Sequence, residues 1–201
     1  MNNKRHVSIK MDTYKVKWTQ LEAEIFRFLC IKSGSSFNLR EIARPLQISP
    51  TSVSNSLKKL EKEGLVKITR SKTMNLHSIE LNKDNPYATE LKRIENLKLI
   101  YETGLAEFLK NTFPGCAIFL FGSYSRGEDV WSDEKEGHTS DIDIAIIGME
   151  SKTDIQFKVT KFDKLLERKV TINFYSSWKD IHKDLKENIL RGIIIKGDIE
   201  L

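Results

Sequence analysis

The sequence predicts a mixed α+β fold in two parts: three helices and a β-hairpin, a long connecting helix, then a small mixed sheet. Three observations carry that reading. Capped helical periodicities up to Gly64 give way to alternation through Leu81. An apolar run is closed by Gly122-Ser123, and Asp141-Ile142-Asp143 opens a second one. The charge changes sign along the chain: residues 1–82 hold 15 Lys and Arg against 7 Asp and Glu, a net of +8, and the remainder 18 against 21, a net of −3. A basic first part on a mildly acidic partner points to a polyanion bound by the first part alone.

Thr19 is placed to cap a helix over residues 20–32, with Leu21, Ile25, Phe28, Leu29 and Cys30 at helical spacing. Gly34-Ser35-Ser36 breaks the chain, and Asn38 caps a short helix over 39–46 that buries Ile42 and Ala43. After a turn at Gln47-Ile48, Ser49 caps a third helix with Pro50 at its first position, where a missing N–H costs nothing. Val53, Leu57 and Leu60 make its inward stripe, and Gly64 ends it. Alternation over 65–70 and 76–81, around a polar turn at 71–75, is a β-hairpin.

Three helices and a hairpin, with a tight turn between the second and third helices, resemble the winged helix-turn-helix family over residues 17–82. The resemblance implies that the third helix enters the DNA major groove with its N-terminal residues foremost. Thr51, Ser52, Ser54, Asn55 and Lys58 on its outer face would reach base edges or phosphates, and Arg70 and Lys72 at the hairpin tip would grip the backbone. A module serving only dimerisation or protein contacts is the competing reading. A symmetric homodimer is the usual way such modules reach two half-sites.

Asn85-Pro86 starts the connecting helix, with apolar residues at Leu91, Ile94, Leu97, Ile100, Tyr101, Leu105, Phe108 and Leu109. It is expected to run to Thr112, about 40 Å at ~1.5 Å per residue, with Gly104 as a candidate kink. It either packs on the C-terminal part or pairs two protomers. The expected domain boundaries are 17–84, 85–112 and 113–201. Beyond it, residues 116–121 read as a buried strand, 161–168 as a helix, 169–175 as a strand, 178–191 as a helix and 192–197 as a last short strand.

Gly122 permits a tight turn, and Ser123 starts a helix whose free N–H groups attract phosphate. Glu128-Asp129 stands where a P-loop requires Lys-Ser/Thr, so that motif is excluded. Asp141 and Asp143 share one face of a strand, roughly 6.6 Å apart along the chain, and repel one another unless a cation intervenes. Mg²⁺ is the natural counterion for paired carboxylates working on phosphates. Ile142, Ile144 and Ile146 fill the other face.

With Arg126 three residues after Ser123, this arrangement resembles the polymerase-β-like nucleotidyltransferase superfamily, in particular its minimal members, over residues 105–197. The resemblance implies that Gly122 and Ser123 hold the β- and γ-phosphates, that Arg126 helps neutralise the triphosphate, and that Asp141 and Asp143 are catalytic and hold two Mg²⁺ ions. The substrate would be a nucleoside triphosphate, ATP being expected, and the acceptor a protein hydroxyl, a nucleic-acid end or a small molecule. Minimal members also act as antitoxins that modify a partner toxin.

Two features depart from that family. Seventeen residues separate Ser123 from Asp141, and the acidic stretch 128–139 reads as a mobile loop: a lid, an acceptor-specificity loop or an inert insertion. The family's third carboxylate should lie on the strand 169–175, where Thr171 and Asn173 share a face and neither is acidic, and Asn173→Asp is expected to raise any transfer rate. The expected function is a DNA-binding nucleotidyltransferase; the alternative is a transcription regulator whose second domain senses nucleotide without catalysis.

No apolar run approaches the ~18 residues that span a bilayer, and residues 1–17 have no apolar core of a signal peptide. The expected location is the cytoplasm. Cys30 and Cys116 lie in apolar surroundings without metal-ligand spacing and read as reduced, buried thiols.

Overall fold

The computed structural model describes residues 17–70, 77–132, 139–150 and 155–198. Three helices open the chain: α1 (Gln20–Ile31), α2 (Leu39–Ala43) and α3 (Pro50–Lys62). Each starts at the residue expected from its capping chemistry. Thr19 and Asn38 form capping boxes with Glu22 and Glu41, and the Ser49 hydroxyl accepts from the Ser52 N–H. Each such cap is worth about 1 kcal/mol. Strands β1 (Val66–Arg70) and β2 (His77–Leu81) pair antiparallel, Ile68 against Ile79. Ile25, Leu29, Ile42, Val53, Leu57, Leu60 and Ile79 form one buried core beneath these elements.

The connector is two helices, α4 (Pro86–Glu102) and α5 (Leu105–Thr112), rather than one. Gly104 takes the left-handed conformation, φ +80, and its N–H bonds back to Tyr101. That break turns α5 so that Leu105, Ala106 and Leu109 bury against the C-terminal sheet. A straight helix would have pointed the same residues along the rod.

The sheet runs in the order β5-β4-β3-β6, from β3 (Ala117–Phe121), β4 (Ile142–Ile147), β5 (Val170–Tyr175) and β6 (Ile193–Lys196). β3 is antiparallel to β4 and β6, while β4 and β5 are parallel. The short helix α6 (Gly122–Arg126) follows β3 directly. Helix α7 (Ile155–Leu166) links β4 to β5 and begins earlier than the periodicity predicts. The predicted helix over 178–191 is a 3-10 turn at Trp178–Asp180 followed by α8 (Lys183–Leu190). Ser177 and Asp180 close that turn reciprocally, and extended Ile181, 3% exposed, drops into the core between the two pieces.

Ile118, Leu120, Ile142, Ile144 and Ile146 face α5 and α7. Phe119, Phe121, Ala145 and Ile147 face Ile181, Ile189 and Trp178 on the other side. Trp178 is thereby a packing anchor, 6.3 Å from the Phe119 ring. Cys30 and Cys116 are free and buried, and burial pushes the Cys30 thiol well above its usual range. Among the described residues no helix is long and apolar enough to cross a membrane.

Candidate active site and DNA-binding helix

β4 supplies the centre of the C-terminal site. Asp143 pairs in register with Phe121, the last residue of β3, and on its other side with Thr171 of β5. Asp141 directly precedes β4, and its Oδ2 accepts a hydrogen bond from Thr171 Oγ1 at 3.2 Å. Gly122 turns the chain out of β3 at φ +75, and a Cβ there would collide with Asp143 Oδ2. Glycine is therefore required at 122 twice, by the backbone angle and by the carboxylate lying against it.

Burial, and then the charge of Asp141, raise the Asp143 carboxyl above the usual aspartate range. Neither carboxylate has a basic partner among the described residues. Two hard oxygen donors pressed together in this way fit a divalent cation better than they fit a salt bridge. Among the described residues no three His, Cys, Asp or Glu side chains group together.

Ser123 lies in the first turn of α6 and is partly exposed, while Ser125 is buried and donates to the Gly122 carbonyl at 2.8 Å. Gly127 ends α6 at φ +72, and a Cβ there would meet the backbone of Thr89 and Arg93. The end of the α6 turn thus rests directly on α4. Arg126 is held between Glu128 (Nε to Oε2, 2.7 Å) and Asn188 of α8 (Nη1 to Oδ1, 2.9 Å). Glu128 is a neighbour two residues on, whereas Asn188 was not visible in sequence because the chain's folding back chooses it.

Thr171 stands level with Asp143, whereas Asn173, the position at which a carboxylate was expected to raise transfer, pairs with Ala145 one two-residue step further along. The acidic stretch also differs from its reading as a loose loop. Asp129 is 1% exposed and ion-paired to buried Lys92 and to Arg168, the latter at 3.0 Å, and it accepts from Asn96 Nδ2 at 2.7 Å. Val130 and Ser132 are tied to Ser140 and Thr139 at the base of the loop. Residues 133–138 lie outside those described.

In the N-terminal part, Thr51, Asn55 and Lys58 are exposed on α3, and Ser52 and Ser54 are half-buried. Ser52 is engaged with the Ser49 cap at 2.8 Å, and Lys58 Nζ donates to Asn55 at 3.2 Å. Arg70 ends β1; Lys72 lies outside the described residues.

Residues 104–199 match the family model described as polymerase beta, nucleotidyltransferase. The C-terminal half is a polymerase-β nucleotidyltransferase domain. Residues 30–74 match the model for the iron dependent repressor N-terminal DNA binding domain, which makes the first part a winged helix-turn-helix domain. No curated protein matches the chain. Among solved structures, Lactococcus lactis ZitR (E41A mutant) is 24% identical, covering 56% of this chain and 73% of that one, with a TM-score of 0.38. The adhesin competence repressor AdcR of Streptococcus pyogenes is 18% identical over 48% and 69%, also at 0.38. S. aureus MepR in its DNA complex is 18% identical over 47% and 77%, at 0.35. Scores this low add nothing to the assignment of either domain.

Proposed function

We propose that the nucleotidyltransferase domain transfers a nucleoside monophosphate from a nucleoside triphosphate, with ATP the expected donor, to an acceptor hydroxyl, and that the winged helix holds the enzyme on DNA. The observation that carries the reading is Asp143, raised by burial and by Asp141 and seated against the Cβ-less Gly122. Mg²⁺ held by Asp141 and Asp143 would neutralise phosphate charge and orient the reacting oxygens. The N–H groups of the turn at Gly122 and Ser123 suit the β- and γ-phosphates. Arg126 reaches the same anion once it releases Glu128. The acceptor oxygen gives its proton to water and bonds to the α-phosphorus as the bond to the β-phosphate oxygen breaks, and pyrophosphate leaves. An antitoxin-like role, modifying a protein partner while controlling DNA, is compatible with this division of labour.

The test needs no acceptor. A ligand bound only to the folded protein raises its melting temperature by mass action. Mg²⁺–NTP is expected to raise it in the wild type and not in Asp141→Ala/Asp143→Ala. An equal shift in both proteins would place the nucleotide elsewhere.

One observation favours a second reading. Thr171, level with Asp143, cannot take a proton at neutral pH, as a nucleotide-sensing regulator without catalysis would tolerate. On the DNA side, the contacts proposed for Thr51, Ser52, Ser54, Asn55, Lys58, Arg70 and Lys72 predict that Asn55→Ala with Lys58→Ala weakens low-salt DNA binding by tenfold or more, about 1.4 kcal/mol. Unchanged affinity would remove α3 from the groove.

A further inference from the structure

Helix α4 leaves one stripe uncovered. Tyr87, Ile94 and Tyr101 are 48%, 59% and 49% exposed, although the apolar pattern of the segment would bury Ile94 and Tyr101. They recur every seven residues, so they line one face of α4 along about 21 Å. One cation of the same chain approaches each tyrosine ring, Lys17 at 5.8 Å and Lys110 at 5.1 Å, and half of each residue still remains open.

The sequence around the stripe is symmetric in chemistry about Ile94. Seven residues to either side stand Tyr87 and Tyr101, four to either side Glu90 and Lys98, and three to either side Leu91 and Leu97. Glu90 and Lys98 are 66% and 53% exposed at the side chain, and their contacts within α4, to Arg93 at 3.7 Å and Glu102 at 3.6 Å, are long. We infer that α4 is the seam of a homodimer, packed antiparallel on α4 of a second copy about a two-fold axis at Ile94.

In that arrangement Ile94 meets its own mate, Tyr87 meets Tyr101, and each Glu90 meets a Lys98. A parallel seam would instead set Glu90 against Glu90 and Lys98 against Lys98. Self-complementary charge of this kind fixes register and excludes the wrong orientation. The seven-residue period suits a shallow left-handed crossing of about 20°. Because α4 also carries the Gly127 turn and follows directly on the wing, the seam sets two winged helices and two transferase sites in one symmetric body. The inference rests on α4 alone and does not depend on nucleotide transfer.

Sedimentation equilibrium on the full chain tests it. The wild type is expected to be a dimer at micromolar concentration, and Ile94→Glu a monomer with an unchanged circular dichroism spectrum. Glu90→Lys and Lys98→Glu, both on exposed side chains that leave the fold intact, should each weaken the dimer by roughly tenfold or more. The double variant Glu90→Lys/Lys98→Glu should restore it. A monomeric wild type, a dimer indifferent to Ile94→Glu, or a double variant no tighter than the singles would overturn the antiparallel seam.

Discussion

Asp129→Ala is expected to lower the melting temperature by roughly 10 °C. The loss follows from breaking a buried ion pair by removing one partner, which costs about 3–5 kcal/mol, at roughly 2–4 °C per kcal/mol in a chain of this size. Asp129 is the anionic centre of the junction between the domains. Lys92 of α4 is fully buried, and Arg168 donates both to Asp129 and to the carbonyl of Ile31 at the end of α1, 2.8 Å away. Burial already lowers the Lys92 pKa against the opposing pull of Asp129. Without that carboxylate two cations face each other in a buried site, and the Arg168 Nε already has no partner among the described residues.

The surrounding contacts show how much is staked on this point. The Trp131 N–H donates to the Ser33 carbonyl at 2.6 Å, Lys32 stacks over the Trp131 ring at 3.7 Å, and Lys32 also pairs with Glu167. Glu167 adopts a left-handed conformation, φ 49, at the end of α7, which turns Arg168 inward. Glu128→Ala is the control. That carboxylate belongs to the preceding residue in the chain but is 55% exposed, so its loss should move the melting temperature by no more than about a degree or two. Equal effects of the two substitutions would show that the junction is not held by charge.

Thr171→Asp is expected to raise any pyrophosphate release by about 100-fold or more, the usual range for supplying a general base. Register decides the position. Thr171 lies level with Asp143 and already touches Asp141, so an aspartate there completes a three-carboxylate cluster. Asn173→Asp would fall about 6.6 Å further along the strand, beside Ala145, and should do little.

The gain has a structural cost with a definite sign. The folded protein already holds the Asp143 proton more tightly than the unfolded chain does, so stability falls as pH rises from the ordinary aspartate range through the raised folded value. A third carboxylate steepens that fall. Mg²⁺, which favours the ionised form, should reverse it in the variant more than in the wild type.

Much of this architecture was legible from local chemistry. Thr19, Asn38, Ser49 and Asn85 each cap the helix they were expected to cap, because a cap is a contact over two or three residues. Gly122 and the carboxylate pair were legible for the same reason: a turn and an alternation specify them locally. What escaped depends on distant chain. Thr171 and Asn173 share a face under a period of two, and only the pairing of β5 with β4 chooses between them. Asp129 looked like one more charge on an acidic loop until α4 and the end of α7 supplied its counterions. Ile94 and Tyr101 fit the apolar period of a packed helix, yet both stay about half or more exposed.

Pyrophosphate release from Mg²⁺–NTP, compared among wild type, Thr171→Asp and Asp143→Asn, tests the central claim most directly. The transferase reading predicts slow release by the wild type with water as acceptor, faster release by Thr171→Asp, and none above background from Asp143→Asn. Release that is absent from both wild type and Thr171→Asp while nucleotide still stabilises the fold, or that survives in Asp143→Asn, would contradict it; the first outcome would leave a nucleotide-sensing DNA-binding protein.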